Sequence, residues 1–357
     1  MKAIHIHSSS HSYSIFMEEK IRFQIAELLD KKYSSVFIIT DSNVAPLYLD
    51  DVKQCFHSIK TYTEVIPAGE QSKSMASFYQ LHTKALQFGL DRNALIIALG
   101  GGVVGDLAGF VAATFMRGIE YIQIPTTILA HDSSVGGKVA INHELGKNLI
   151  GSFYPPAMVI YDVETLHTLS PKEIRSGYAE LLKEALLGDA HFLKDILQTN
   201  LSVLDNETLR QHLYKGVNIK ASIVEQDERE NNVRKYLNLG HTLGHALETT
   251  LGYGKMTHGE AVAIGLLFAI YVSEKWLNAS LPQKEIFTWL TLQAYPMKEL
   301  EVDIDSILQA MKTDKKVTNQ TIHMILLEKV EKPVLKEIDD TNLKQYLLAF
   351  FGELNIL

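Results

Sequence analysis

Short apolar runs alternate with amphipathic stretches through the first part of this chain. The runs are predicted strands, and the one at 94–99 is apolar throughout, as in a strand covered on both faces. Amphipathic segments such as 74–88 are predicted helices between them. This alternation predicts a parallel sheet with helices on both sides. The predicted strands are 36–40, 63–66, 94–99, 121–124 and 158–161.

After residue 170 the pattern changes to long helical periods. One β-like run, 321–327, has no predicted position among them. The change predicts an α/β domain over 1–165 and a mainly helical domain over 166–357. The predicted helices of the second domain are 172–187, 191–199, 207–225, 241–250 and 259–276.

Length, charge and cysteine content argue against nucleic-acid-binding, secreted and membrane proteins. A length of 357 residues suits two domains, and a net charge of −8 argues against a nucleic-acid partner. A lone cysteine, Cys55, favours a reducing compartment. The N-terminus has no apolar stretch of signal-peptide length, and the longest apolar run, 261–272, is too short to span a membrane. We therefore expect a cytoplasmic protein without a membrane partner.

Three histidines lie close together in the second half of the chain. His241 and His245 are four residues apart, which places them on one face of a helix, and His258 follows a glycine-rich break at 251–254. The pair alone could be an ordinary buried or surface pair. Three imidazoles in a chain with one cysteine predict a transition-metal site, in which either histidine of the pair could bind.

A helix predicted over 176–187 carries Glu180 and Lys183 three residues apart on one face. A surface ion pair is the ordinary explanation of such a spacing. Near several histidines, however, Glu180 could complete a metal site, and Lys183 could then bind an anion beside the metal. Arg234 and Asn238 lead directly into His241.

A glycine-rich turn at 100–106 joins a predicted strand to a predicted helix. Its spacing is not that of the common dinucleotide fingerprint, so it is either a pyrophosphate site at a helix N-terminus or a tight packing turn. Asp41, at the end of an earlier strand, could bind a ribose or cap a helix. The segment 132–138, with a Gly-Gly pair beside Lys138, and the segment 146–148 suggest an anion site, with a plain loop as the alternative.

Together these segments resemble the 3-dehydroquinate synthase family, whose relatives are other sugar-phosphate cyclases and, more distantly, iron-dependent alcohol and glycerol dehydrogenases. The motifs occur in family order over nearly the whole chain. They are Gly69-Glu-Gln-Ser-Lys73, Gly100-Gly-Gly-Val-Val-Gly-Asp106, Arg117-Gly118, Pro125-Thr-Thr127, Asp132-Ser-Ser-Val-Gly-Gly-Lys138, Gly146-Lys-Asn148, Gly177-Tyr-Ala-Glu-Leu-Leu-Lys183, Asn238-Leu-Gly-His-Thr-Leu-Gly-His245 and His258-Gly-Glu260.

The resemblance implies an N-terminal Rossmann-like NAD-binding domain and a C-terminal all-helical metal-binding domain. It implies that Glu180, His241 and His258 bind Zn²⁺ or Co²⁺, and that His245 is an acid/base residue. The implied NAD⁺ contacts are Asp41, Glu70, Lys73, Gly102, Val103, Val104, Gly105, Asp106, Thr126, Thr127, Lys138 and Lys147. The other implied catalytic residues are Lys138, Lys183, Arg234 and Asn238, and the implied substrate contacts are Arg117, Asp132, Asn148, Lys220 and Lys316.

The implied reaction converts 3-deoxy-D-arabino-heptulosonate 7-phosphate, a phosphorylated sugar acid, to 3-dehydroquinate and phosphate in a homodimer. Transient oxidation by NAD⁺, phosphate elimination, re-reduction and an intramolecular aldol closure are its steps. One departure is a segment 125–132 that is one residue shorter than the common family form, with His131 as a loop residue before Asp132. The rival functions are a cyclase for another sugar phosphate, a metal- and NAD-dependent polyol dehydrogenase, and a binding protein without activity.

Overall fold

The computed structural model describes residues 3–252, 254–297, 300, 302–313 and 322–356. Contacts divide the chain into two compact units. The first unit contains the residues up to Leu169 together with Asn206–Arg229, and the second contains Ser170–Asp205 and the residues from Glu230 onward. The single boundary predicted at residue 165 lies close to the first division. It is wrong for 206–229, because the helix there packs with the first unit.

A seven-stranded sheet forms the first unit, in the order β1-β2-β9-β6-β5-β3-β4. β1 is antiparallel to β2, and the other neighbours are parallel. Strands β7 and β8 form a separate antiparallel hairpin. The strands are β1 (Ala3–Ile6), β2 (Tyr13–Glu18), β3 (Val36–Asp41), β4 (Thr61–Ile66), β5 (Leu95–Gly100), β6 (Tyr121–Pro125), β7 (Lys138–His143), β8 (Gly146–Phe153) and β9 (Met158–Asp162).

Two apolar layers cover this sheet, one on each face. In β5, Ile96 and Ala98 belong to one buried cluster, whereas Leu95, Ile97 and Leu99 belong to the other. The alternation follows from the period of two in a strand, and it explains why this run contains no polar residue. The helices of the unit are α1 (Ala45–Gln54), α2 (Met75–Gln87), α3 (Gly102–Thr114), α4 (Ala130–Ser133) and α7 (Asn206–Gln226).

Helices dominate the second unit, and the predicted combination of a parallel α/β domain with a helical domain is confirmed. One correction concerns the expectation of an all-helical domain, because the unit also contains the antiparallel hairpin β10 (Ile322–Lys329) and β11 (Lys332–Ile338). Its helices are α5 (Pro171–Gly188), α6 (Ala190–Gln198), α8 (His241–Leu251), α9 (His258–Leu277), α10 (Gln283–Leu292), α11 (Ile304–Thr313) and α12 (Asp340–Ile356). Among the described residues, no helix combines the length and apolar character needed to cross a bilayer.

Candidate functional site

Three helices of the second unit carry one carboxylate and three imidazoles, which we call the histidine cluster (Glu180, His241, His245 and His258). Glu180 lies within α5, His241 and His245 lie in the first turns of α8, and His258 is the first residue of α9. As predicted, the four-residue spacing places His241 and His245 side by side, with ring centroids 5.3 Å apart. Helix α9 brings His258 to them, with its ring centroid 5.3 Å from that of His241.

Glycines allow the helices to approach closely enough for this cluster. A Cβ atom on Gly259 would lie 1.8 Å from the carbonyl oxygen of Ser176, and one on Gly265 would lie 1.9 Å from that of Gly240. Only glycine fits such contacts, so α9 can pack directly against α5 and against the turn before α8. A capping box, in which the Thr257 and Glu260 side chains bind backbone N–H groups, starts α9 at His258.

The distances within the cluster match a metal site. Glu180 Oε1 lies 3.4 Å from His241 Nε2 and 3.3 Å from His258 Nε2. Bonds of about 2.0–2.1 Å in a tetrahedral site place neighbouring ligand atoms about 3.3 Å apart. Glu180 is 1 % exposed and His241 is 9 % exposed. One carboxylate oxygen and two imidazole nitrogens therefore fit a shared divalent cation.

The other ring nitrogens of these two histidines already have acceptors. His241 Nδ1 lies 3.2 Å from the carbonyl oxygen of Leu239, and His258 Nδ1 lies 2.9 Å from Glu248 Oε2. Each Nε2 is therefore left to face Glu180. The sequence reasoning missed Glu248 as a site residue, although its place three residues after His245 in the same helix was a usable signal.

His245 offers a second possible grouping. One nitrogen of each of His241, His245 and His258 lies within 4.8 Å of the others. The structure thus contains two overlapping triads that share His241 and His258. The separations of 3.3 and 3.4 Å from Glu180 Oε1 match those of neighbouring ligand atoms in a tetrahedral site, which supports the triad with Glu180.

The pKa values of the cluster residues show which of them are charged in the absence of a metal ion. Burial raises the pKa of Glu180, but the positive charge of Lys183 and the contact with His241 outweigh it and hold the pKa well below its usual value. Burial lowers the pKa of His241 to about 4, so this ring is neutral at pH 7. Burial also lowers the pKa of His258, but the hydrogen bonds to Glu180 and Glu248 outweigh it and raise the pKa to about 10. Without a metal ion, His258 holds a proton where the site would hold a dication.

Lys183 lies directly beside the cluster. Its side chain is 1 % exposed, and Nζ lies 2.6 Å from Glu180 Oε2. The pair is therefore buried, and the alternative of an ordinary surface ion pair is wrong. Arg234 is buried in the same unit, and the amide of Asn238 donates to Glu230 Oε1 at 2.8 Å.

A second polar group in the first unit, which we call the lysine network, contains Glu70, Lys73, Asp106, Asn142 and Asn148. Lys73 Nζ lies 2.6 Å from both Asp106 Oδ2 and Asn148 Oδ1, and 3.9 Å from Glu70 Oε1. Asn142 donates to Glu70 Oε1 at 2.8 Å and accepts the N–H of Asn148 at 3.0 Å. Lys73 thus joins Asp106 and Asn148, and Asn142 links Asn148 to Glu70. The sequence reasoning missed Asn142 because it lies between two motifs.

The glycine-rich turn has the packing role considered for it, and its donors also suit the pyrophosphate role, which stays a prediction. A Cβ atom on Gly100 would lie 2.7 Å from Val104 Cγ2, and one on Gly101 would lie 3.0 Å from Thr127 Cγ2, so packing requires small residues here. Gly101 is also the N-cap of α3 and offers no side-chain acceptor to the N–H groups of the first turn. Thr126 Oγ1 is buried without a hydrogen-bond partner among the described residues. These donors fit an anionic cofactor such as a dinucleotide.

Other predicted cofactor residues have structural contacts. Asp41 Oδ1 accepts the N–H groups of Asn43 at 2.8 Å and Val44 at 3.1 Å, so it stabilises the turn before α1 and is not its cap, because Val44 is the N-cap of that helix. Thr127 Oγ1 accepts the N–H of Ala130 at 3.2 Å and so stabilises the start of α4. Their contacts with NAD⁺ stay predictions.

The predicted substrate-binding residues differ in how far they are buried. Lys220 is buried in α7 with Nζ 2.8 Å from Asp132 Oδ2, within the first unit. Lys138 and Arg117 are exposed, and Lys147 is half-buried. His131 is fully buried, with Nδ1 2.5 Å from the carbonyl oxygen of Ile128, so it has a structural contact. Lys316 lies outside the described residues.

The fold defines a class that includes cyclases and dehydrogenases. The solved structure of 2-deoxy-scyllo-inosose synthase with carbaglucose-6-phosphate, NAD⁺ and Co²⁺ matches with a TM-score of 0.88 and 26 % identity, covering 96 % of this chain and 98 % of that chain. A probable glycerol dehydrogenase from Sinorhizobium meliloti 1021 matches with a TM-score of 0.65 and 14 % identity, covering 95 % and 97 %, and shares the fold.

Sequence comparison gives the family. A curated relative named 3-dehydroquinate synthase from Oceanobacillus iheyensis is 54 % identical over 359 residues, which cover 100 % of each chain. Residues 63–176 match the family described as "3-dehydroquinate synthase N-terminal", and residues 177–317 match "3-dehydroquinate synthase C-terminal". The chain belongs to the 3-dehydroquinate synthase family, as its motifs predicted.

Proposed function

We propose that this enzyme is a lyase that converts 3-deoxy-D-arabino-heptulosonate 7-phosphate to 3-dehydroquinate and phosphate with NAD⁺ and a divalent metal ion. One observation carries the proposal. The buried carboxylate of Glu180 contacts His241 and His258 through one oxygen and Lys183 through the other. A metal site and a buried cation beside it suit a substrate that has both hydroxyl and anionic groups.

Two groups of residues would hold the cofactors. Glu180, His241 and His258 would bind the dication, and the first turn of α3 with Thr126 would bind the pyrophosphate of NAD⁺. The structure of the related synthase that contains NAD⁺ and Co²⁺ supports this pairing of cofactors. When bound, NAD⁺ would supply reversible hydride transfer, and the dication would supply Lewis acidity toward a substrate hydroxyl.

Buried cations support an anionic substrate. Lys183, Lys220 and Arg234 are each 6 % exposed or less. Lys183 lies 2.6 Å from Glu180 and Lys220 lies 2.8 Å from Asp132, and each ammonium group has further N–H donors with which a phosphate or carboxylate could form charge-assisted hydrogen bonds. We propose that Lys183 and Arg234 orient the phosphate and carboxylate of the substrate, with Arg117, Asp132, Lys138, Asn148, Lys220, Asn238 and Lys316 as further contacts. A polyol dehydrogenase has a neutral substrate, for which such cations have no role.

His245 is the proposed proton-transfer residue. Its ring is half-buried in α8 and lies beside His241 and His258, with a centroid 5.7 Å from the latter. An imidazole can hold or release a proton near neutral pH, so it suits the proton transfers that ring opening and aldol closure require.

The test is an assay of phosphate release from the heptulosonate phosphate, with catalytic amounts of NAD⁺ and added Zn²⁺ or Co²⁺. We expect phosphate and 3-dehydroquinate in equal amounts and no net NADH. Accumulation of NADH with glycerol, without phosphate release, would instead establish a polyol dehydrogenase. Turnover of sedoheptulose 7-phosphate or glucose 6-phosphate alone would establish a different cyclase.

Assembly, location and metal identity stay predictions. We propose a cytoplasmic homodimer, and light scattering of the purified protein would measure its mass. Elemental analysis after expression without added metal would distinguish Zn²⁺ from Co²⁺.

A further inference from the structure

A carboxylate outside the proposed ligand set contacts one of the ligands. Glu248 lies in α8, is 7 % exposed, and places Oε2 2.9 Å from His258 Nδ1. Glu180 Oε1 lies on the opposite side of the same ring, 3.3 Å from Nε2. The His258 ring is thus held between two carboxylates, one at each nitrogen.

This arrangement determines which nitrogen can bind a cation. If Nε2 is the ligand atom, Nδ1 carries the proton and donates it to Glu248. His241 has the same arrangement with a weaker acceptor, because its Nδ1 faces the backbone carbonyl of Leu239 at 3.2 Å. A charged acceptor forms a shorter and stronger hydrogen bond than a neutral carbonyl.

The place of His258 in the chain makes such an acceptor useful. As the first residue of α9, His258 has no preceding helical turn to restrict its side chain, and it follows the connection between α8 and α9. The capping box of Thr257 and Glu260 holds the backbone of this residue. The contact with Glu248 holds its ring from a different helix.

We propose that Glu248 is a positioning residue for the metal ion, which keeps His258 in the Nδ1-protonated tautomer and increases the donor strength of Nε2. The inference rests on the proposed metal site, of which it names a further component. Loss of such an outer partner typically weakens metal binding by about 10- to 100-fold. Glu248 would contact neither the metal nor the substrate, so its effect would be expressed through His258.

The experiment measures Co²⁺ binding by competition with a chelator, together with the visible absorption spectrum of the bound Co²⁺. Glu248→Gln keeps the shape and an acceptor oxygen but removes the charge, whereas Glu248→Ala removes both. We expect Co²⁺ affinity to fall by about 10-fold in the Gln variant and toward 100-fold in the Ala variant, with a changed spectrum. Thr249→Ala, at the exposed neighbouring position of the same helix, is the matched control and should bind like the wild type.

Wild-type affinity and an unchanged spectrum in both Glu248 variants would overturn the inference. Thermal unfolding of the metal-free variants identifies any general loss of structure. If the Ala variant does not fold, Co²⁺ binding by the isosteric Gln variant alone tests the inference. His258→Ala tests the proposed ligand set separately from the role of Glu248. If that variant binds Co²⁺ like the wild type, the proposed ligand set itself is wrong.

Discussion

The histidine cluster and the lysine network both gather polar groups, but they balance charge in different ways. In the lysine network, Lys73 and Asp106 neutralise each other at 2.6 Å. In the histidine cluster, one oxygen of Glu180 pairs with Lys183 at 2.6 Å, whereas its other oxygen faces the rings of His241 and His258, and the pKa of His258 is raised between Glu180 and Glu248. In the first region Lys73 faces a carboxylate and an amide oxygen, whereas in the second a carboxylate oxygen faces two imidazole nitrogens with which it could share a cation. A buried carboxylate oxygen that faces imidazoles, rather than the number of polar residues, is therefore what supports the proposed metal site.

The largest expected effect comes from His258→Ala. Because it removes a proposed ligand, it should weaken metal binding by more than ~100-fold, beyond the loss of an outer partner. NAD⁺ binding should persist, since the proposed cofactor residues belong to the first unit. Elemental analysis and calorimetric titration with NAD⁺ measure the two properties. His191→Ala, an exposed histidine in α6, is the control, and unchanged metal stoichiometry in His258→Ala would refute the ligand set.

Lys183→Ala tests the cation beside the cluster. Removal of one partner of a buried pair leaves the Glu180 charge uncompensated, so the free energy of unfolding of the metal-free protein should fall by about 3 kcal/mol. Added metal should restore much of this loss, while the affinity for the substrate stays low. Urea denaturation with and without Co²⁺ and substrate titration are the measurements. Exposed Lys194→Ala is the control, and normal substrate binding by Lys183→Ala would exclude Lys183 from the site.

Lys73→Met tests the ion pair of Lys73 and Asp106 in the lysine network. It should lower the free energy of unfolding by about 3 kcal/mol, because Asp106 loses its 2.6 Å partner. Combining it with Asp106→Asn should recover most of this loss, and Co²⁺ should not restore either variant. A double-mutant cycle by urea denaturation measures the coupling. Additive effects of the two substitutions would show that the pair is not the balanced unit described above.

Gly259→Ala tests how packing assembles the cluster. A Cβ atom 1.8 Å from the carbonyl oxygen of Ser176 must push α9 away from α5 and so separate His258 from Glu180. We expect about 1–3 kcal/mol of destabilisation and weaker metal binding. Gly352→Ala, in α12 with no neighbouring atom within 4 Å of the added Cβ, is the control and should be neutral or stabilising. Wild-type Co²⁺ affinity in Gly259→Ala would contradict this account.

The smallest expected effect is a dependence of metal-free stability on pH. The pKa of His258 is raised to about 10, so its protonated form stabilises the folded state below the unfolded pKa of ~6.5, and this contribution is lost as pH rises toward 10. Solvent reduces the effect because the side chain is 31 % exposed. The pKa of His241, lowered to about 4, instead removes stability as pH falls from ~6.5 toward 4. Urea denaturation at pH 7 and 9.5 measures the first slope, which should be absent in His258→Ala. An equal slope in that variant would assign it to another group.

The sequence predicted the elements that local patterns specify. The run at 94–99 became β5 because a strand covered on both faces is apolar throughout, and the spacing of His241 and His245 placed both rings on one side of α8. The β7–β8 hairpin was not predicted, because its strands carry polar motif residues and their pairing depends on a partner strand.

The sequence by itself determined the family, the α/β and helical parts of the chain, and the residue types of the proposed metal site, because motifs and hydrophobic periods are local properties. Only the tertiary structure decided that one oxygen of Glu180 lies within 3.4 Å of both His241 and His258, that Glu248 contacts His258, and that α7 packs with the first unit. These results depend on how closely α9 approaches α5 and α8. That approach is set by backbone contacts at Gly259 and Gly265 between segments far apart in the chain.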